Sequence, residues 1–390
     1  MLYAMPVLAH FRNIIIFGDS LSDSGNFPES TEMWWNSNAP KTLRNAIAQF
    51  YVPFSNPTNK ISNTFTIPMT THEYPWPMLD FVYLFSQPKS FQSISWPSYF
   101  LAMAQSMQFT STSMIIATHL LTTRTFPDSV SYNYGWGYAV SDKGCYNPYY
   151  QKTKSCSSET IAQARKEYIA HRNMENYRAL EVPGLYEQVQ QFLKNVKKHR
   201  VMVDESTRYI FWIGGNDLIS ASKTLFHQKN PIPALEFATG KPVRNIIKNI
   251  NILLKALPRD ERPREIYIFQ LFNPKLTPSF YHHKIIGSLG NVFVKIFNVW
   301  LWCDSHVFNL FSNTKIVLVP TYDLYQKNAI NNPYFKTRMG KSCELDGGNY
   351  ENTLEIPTHN CDKFMFWNDV HPAAPMHMLT ADLFLQTIRR

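Results

Sequence analysis

The chain has 390 residues, 44% of them hydrophobic and 15% aromatic, which is ample for one large core. Its 38 basic residues outnumber 29 acidic ones, and the resulting charge of +9 favours anionic surfaces, whether lipid or nucleic acid. No nucleic-acid module, internal repeat or low-complexity tract is visible, so a nucleic-acid partner is set aside.

In chain order, the eleven residues before Arg12 lack a charged start and a full apolar stretch, so no secretory signal peptide is read there. An apolar strand at 13–17 then runs into Gly18-Asp19-Ser20-Leu21-Ser22-Asp23. A buried strand that breaks at once into small and polar residues exposes its serine hydroxyl at the carboxyl edge of a sheet. Ser20 is therefore the candidate nucleophile. Residues 27–95 are rich in proline and in aromatics such as Trp34, Trp35 and Trp76, without sustained periodicity, and read as a lid or docking flap or as a subsidiary apolar cluster. Helices are predicted over 96–106, 158–178, 185–198, 243–255, 283–311 and 373–389, and further strands over 209–213, 265–271 and 315–319, with a short one near 132–139. A second insertion covers 140–180.

The basic cluster Lys194, Lys197, Lys198, His199 and Arg200 closes a helical pattern, where cations are ordinary dipole partners. The longest apolar helical stretch, Val292 to Trp302, is interrupted by Lys295, Asn298 and Asp304 and is read as too short to cross a membrane. Alternating strands and helices predict a three-layer α/β/α fold with a central, mainly parallel sheet.

Two further segments supply the rest of an acyl-transfer site. Tyr209 to Trp212 leads into Ile213-Gly214-Gly215-Asn216-Asp217, where the Asn216 amide is placed to donate to an oxyanion. Near the C-terminus, Asn368-Asp369-Val370-His371-Pro372 supplies a base in His371, whose ordinary pKa lies near neutrality. Taken together and in this order, the three motifs resemble the GDSL family of the SGNH hydrolase superfamily, whose fold is flavodoxin-like. Trp96-Pro97-Ser98-Tyr99, Asn133-Tyr134-Gly135-Trp136-Gly137-Tyr138-Ala139, Leu185-Tyr186-Glu187-Gln188-Val189 and Leu276-Thr277-Pro278 are similar to its bacterial branch of phospholipases A, lysophospholipases and glycerophospholipid:cholesterol acyltransferases. The resemblance spans most of 12–390 and implies one hydrolase domain over 1–390.

Carried over residue by residue, the resemblance implies Ser20 as nucleophile, His371 as base, and an oxyanion hole of the Ser20 N–H, the Gly137 N–H and the Asn216 amide. Gly135 is the alternative to Gly137, because Tyr138 stands where the family has a second glycine. The family's acid falls three residues before the histidine, and that position is Asn368 here. Asp369 is the nearby carboxylate, and it is favoured as the acid over an Asn368 that keeps geometry without charge. Cys343 with Cys361, and Cys145 with Cys156, flank short loops; as disulfides they would suit the family's exported members, while in a reducing compartment they are loop thiols. Cys303 is read as a buried free thiol. The resemblance implies an esterase acting on phospholipids or lysophospholipids at a membrane surface, secreted or exported, with a sterol as acceptor in acyltransferase members. It implies no cofactor and no metal. The alternatives are a short-chain or carbohydrate esterase, and a catalytically impaired lipid-binding relative.

Overall fold

The computed structural model describes residues 11–23, 96–106, 110, 114–117, 130–137, 139–143, 145–147, 151–152, 182–225, 236, 239–342, 364–366 and 370–389. The expected flap over 27–95 and helix over 158–178 lie outside the described residues. So do Cys156, Cys343, Cys361, Asn368 and Asp369, and of Cys145 only the backbone is described.

In chain order the described strands are β1 (Ile14–Gly18), β2 (Met114–Ala117), β3 (Val130–Asn133), β4 (Cys145–Asn147), β5 (Gln151–Lys152), β6 (Val182–Pro183), β7 (Arg208–Trp212), β8 (Glu265–Phe269) and β9 (Lys315–Val319). The helices are α1 (Trp96–Ser106), α2 (Leu185–Lys197), α3 (Gly215–Leu225), α4 (Gly240–Ala256), α5 (Pro278–Tyr281), α6 (Lys284–Phe311), α7 (Thr321–Asn331), α8 (Pro333–Thr337) and α9 (Ala374–Ile388).

Six strands form one sheet in the order β2-β3-β1-β7-β8-β9, and every pair is parallel. The run β3-β1-β7-β8-β9 has the flavodoxin-like order, with β2 added at one edge. β4, β5 and β6 make a small antiparallel sheet. β1 and β7 are buried along their whole length, as expected of central strands covered on both faces, and this is why they read as unbroken apolar runs.

Side chains alternate between two helical layers. Phe17 and Tyr209 meet Phe192 of α2 edge-on, and α4 and α6 continue that layer. On the opposite face, Trp212 and Phe269 stack on each other; Trp96 of α1 lies against both, and Phe384 of α9 against Phe269. The result is three layers, α/β/α. A smaller apolar cluster of Leu276, Tyr325, Phe335, Met365, Phe366 and Met376 sits apart from the main core, under the segment that leads to His371.

The structure departs from the sequence reading in several places. β2 holds only four residues, too short a run to separate from its neighbours. α3 starts at Gly215, so the Gly-Gly-Asn turn is also a helix start. α7 and α8 were not expected, because their pattern is weakly amphipathic; α8 is capped by Asn332, whose Oδ1 accepts from the N–H groups of Tyr334 and Phe335. Cys303 is free but only half-buried. α6 runs unbroken for 28 residues through Lys295, Asn298 and Asp304, and by length and composition it is apolar enough to cross a membrane, which corrects the shorter stretch read from the sequence. Here one of its faces is buried in the fold through Phe293, Val294, Phe297 and Leu301.

Candidate active site

The strand order reverses at β1, whose neighbours β3 and β7 are reached in opposite directions along the sheet. In open α/β sheets the crevice beyond the strand ends at such a switch point is where ligands bind. The segments after β1, β3 and β7 carry Ser20, Gly137 and Asn216 to that crevice.

Ser20 lies just beyond β1, on a tight turn in which the N–H groups of Ser22 and Asp23 both donate to the Asp19 carbonyl at 3.0 Å. The turn needs Gly18. A Cβ there would stand 2.6 Å from the Trp212 carbonyl oxygen, so β7 approaches closely only because Gly18 has no side chain. Gln188 of α2 fixes the same residue from the side: its Nε2 donates to Gly18 O at 2.9 Å and its Oε1 accepts from Gly18 N at 3.0 Å.

His371 reaches Ser20 from the other end of the chain, with Nε2 2.8 Å from Ser20 Oγ. Its loop closes through a bridge between Phe366 and Pro372 and through the Ala373 N–H, which donates to the Met365 carbonyl at 3.0 Å. Burial pushes the His371 pKa down to about 4, so the imidazole is neutral at pH 7. A neutral ring that accepts at Nε2 carries its proton on Nδ1, the form a general base requires.

Asn216 opens the first turn of α3. Its Nδ2 donates to the Ala139 carbonyl at 2.9 Å, which uses one amide hydrogen and leaves the second unclaimed among the described residues. Gly214, two residues earlier, has φ of +120°, and a Cβ there would meet the Phe297 ring of α6 at 3.0 Å. The positive φ calls for glycine, and any Cβ would also require the Phe297 ring to give way.

The expected glycine donor is not open. Gly137 N–H donates to Asp23 Oδ2 at 2.7 Å, and Gly135 N–H donates to Asn133 Oδ1 at 2.9 Å. Both amides are engaged within the protein, so an oxyanion would have to displace a carboxylate to use Gly137. Ser20 N–H and the second Asn216 hydrogen have no acceptor among the described residues and are the donors left for a developing charge. Tyr138 lies outside the described residues.

Buried carboxylates and amides given no role from sequence hold these segments together. Asp23 ties the β1 turn to the β3 segment, and Asn133 Nδ2 donates to the Ser22 carbonyl. Asp217 accepts from the N–H and the hydroxyl of Ser141, at 2.9 and 2.7 Å. Asp19 accepts from the Leu21 N–H at 3.1 Å. Burial raises Asp19 to about 7, with the nearby Asp217 charge adding to it, and raises Asp217 to about 6. Trp96, fully buried, braces the site from behind: its indole Nε1 donates to Ser22 Oγ and its backbone N–H to His377 Nδ1, both at 3.2 Å. It thus links the nucleophile turn to the helix that follows His371. The signal for these residues was their place inside the motifs, but nothing in the sequence says which backbone group each one holds.

The family model for GDSL-like lipase/acylhydrolase matches residues 14–384. No curated protein matches the chain. Among solved structures, the lipase Lip_vut3 from a goat rumen metagenome is similar over 52% of this chain and 72% of that one, at 13% identity and a TM-score of 0.31. With the family match extending over β1, β3, β7 and α9 alike, the chain belongs to the GDSL-like lipase/acylhydrolase family and is a hydrolase of acyl esters.

Proposed function

We propose that this protein is a serine esterase that cleaves acyl esters of phospholipids or lysophospholipids at a membrane surface, by double displacement. The observation that carries the proposal is the 2.8 Å approach of His371 Nε2 to Ser20 Oγ at the sheet's switch point. His371 takes the hydroxyl proton as Ser20 attacks the ester carbonyl. The oxyanion is held by Ser20 N–H and the Asn216 amide. His371 returns the proton to the departing alcohol, leaving an acyl-serine that water, activated by the same ring, then releases as the fatty acid. A sterol hydroxyl in place of that water would make the second step an acyl transfer.

Asp369 is the carboxylate we assign to orient His371, since a ring partnered only by the neutral Asn368 would stabilise the imidazolium less. Asp369→Ala is expected to cost about 10⁴ in kcat, against a much smaller loss for Asn368→Ala; the reverse ranking would transfer the role to Asn368. The substrate class draws support from the family, from the basic balance of the chain and from its abundant aromatic side chains. Export, and disulfides between Cys343 and Cys361 and between Cys145 and Cys156, belong to the same proposal.

The experiment is fatty-acid release from phosphatidylcholine, phosphatidylglycerol and their lyso forms by wild type and Ser20→Ala, with and without cholesterol. Release by wild type alone supports the reading. Turnover confined to short, soluble acyl donors would replace it with a small-ester esterase. Failure of a fluorophosphonate to label Ser20 in folded protein would leave a catalytically silent relative.

A further inference from the structure

α6 is apolar on both sides, and among the described residues only one side is covered. Phe293, Val294, Phe297 and Leu301 face the protein, whereas Ile285, Val292, Val299 and Leu310 form a stripe on the opposite side, with Leu310 75% and Ile285 85% exposed. Trp302 flanks the stripe on one side and Trp300 and Phe311 on the other, all of them exposed. At 3.6 residues per turn the arc from Trp302 to Phe311 covers about half the helix circumference. A helical partner needs only a narrow seam, so a face this broad suits a continuous apolar medium.

The charges around it have one sign at its exposed positions. Lys284 and Lys295 are exposed, while the helix's one carboxylate, Asp304, is half-buried with Arg244 nearby. At its C-terminal end the face runs into a groove of about 900 Å³, lined by Val307 and Phe311 from α6 and by Lys255, Arg259, Arg262 and Arg264, with Asp304 as the carboxylate among its lining residues. Exposed tryptophans and apolar side chains on one helix, rimmed by its own lysines and by Lys255, Arg259 and Arg262 of the neighbouring segment, are the composition of a surface that sits in the headgroup and acyl boundary of an anionic bilayer.

We infer that the outer face of α6, with the basic groove at its end, docks the protein onto an anionic phospholipid surface. The inference rests on the esterase proposal in taking lipid as the partner, and it assigns the contact to residues outside the catalytic site. The same helix presses Phe297 against Gly214, two residues from Asn216, so the docking element also supports the site.

The test uses the full chain carrying Ser20→Ala, which binds without turnover, and sedimentation with vesicles of phosphatidylcholine alone or with phosphatidylglycerol added. Binding is expected to be stronger on the anionic vesicles. Replacing Val299→Glu and Leu310→Glu together should lower partitioning about 100-fold, about tenfold for each apolar side chain withdrawn. Arg259→Ala should lower it about fivefold, and only on the anionic vesicles. In the chain with Ser20 intact, the glutamate pair should leave hydrolysis of soluble p-nitrophenyl butyrate unchanged, which shows that the variant is folded. Partitioning unaffected by the pair overturns the inference. So does a wild-type dimer that the pair dissociates without any vesicle binding, which would make a second copy the partner. Absence of vesicle binding together with a Cys303 that resists maleimide in the folded protein also overturns it, because a segment of this chain would then cover the face. Vesicle binding by a protein that hydrolyses no ester would sink the esterase proposal and leave this one standing.

Discussion

The two halves of the Ser20–His371 pair are held in different ways. Ser20 follows a central strand of a six-stranded sheet, and its turn is fixed by bonds from Gln188, Asn133 and Trp96, all of them buried side chains on other segments. His371 sits on a loop that closes on itself through Phe366 and Pro372 and rests on a small cluster separate from the main core. Whatever moves the nucleophile must therefore disturb the sheet, whereas the base can shift while the sheet stays intact. Stability of the fold and precision of the site are thus partly separable, and the separation falls on the histidine side.

The largest expected effect treats the two halves as one unit. Ser20→Ala and His371→Ala should each reduce kcat about 10⁴-fold or more, and the double variant should be little worse than either alone. Losses that multiply would mean that the two residues act independently. Next comes a contrast in packing. Phe17→Ala, in the main core, should lower global stability by about 3 to 5 kcal/mol. Phe366→Ala should leave the denaturation midpoint closer to wild type and cost about 10²-fold in kcat by displacing His371. If the Phe366 variant unfolds as readily as the Phe17 variant, the two regions are not separable.

A pH series reads the histidine half directly. His371 has to be neutral to accept the serine proton, and with its pKa lowered to about 4 the acid limb of kcat/KM should fall tenfold per pH unit only below that value. A limb near the ordinary histidine pKa of about 6.5 would mean that the ring is more hydrated than its burial implies. For stability the sign is fixed by the same shift: the unfolded ring binds a proton that the folded ring resists. The His371 contribution is therefore complete above about 6.5 and is lost as pH falls toward 4. Asp19 and Asp217 act in the opposite direction, because raised carboxylates contribute most at low pH and lose that contribution as pH rises through about 6 to 7.

The smallest effect joins the two halves. Trp96→Phe keeps the ring in the core and the backbone bond to His377 but loses the indole bond to Ser22. A stability loss of about 1 kcal/mol and a few-fold drop in kcat are expected, read by calorimetry and steady-state kinetics. No change in kcat would restrict Trp96 to packing.

The sequence alone determined the central strands and the long helices. Ile14 to Phe17 and Tyr209 to Trp212 are apolar because a parallel sheet covered on both faces admits nothing else there, whereas the edge strand β9 begins on the exposed Lys315. It also proposed Ser20 and Asn216, since strands that end in small and polar residues stand out against such runs, and His371 from the Asp369-Val370-His371-Pro372 segment near the C-terminus. Only the tertiary structure decided how those ends are used. The Gly137 amide looks open in sequence, yet it is engaged by Asp23, a carboxylate 114 positions away. The depressed pKa of His371 is a property of its burial, and burial is set by elements far apart in the chain. For α6 the composition says that apolar residues lie on more than one face of the helix, but it cannot say which face the fold covers. Local pattern is fixed by what each residue does to its own backbone and to water. Hydrogen-bond partners, burial and the uncovered face depend on which distant segments the fold brings alongside.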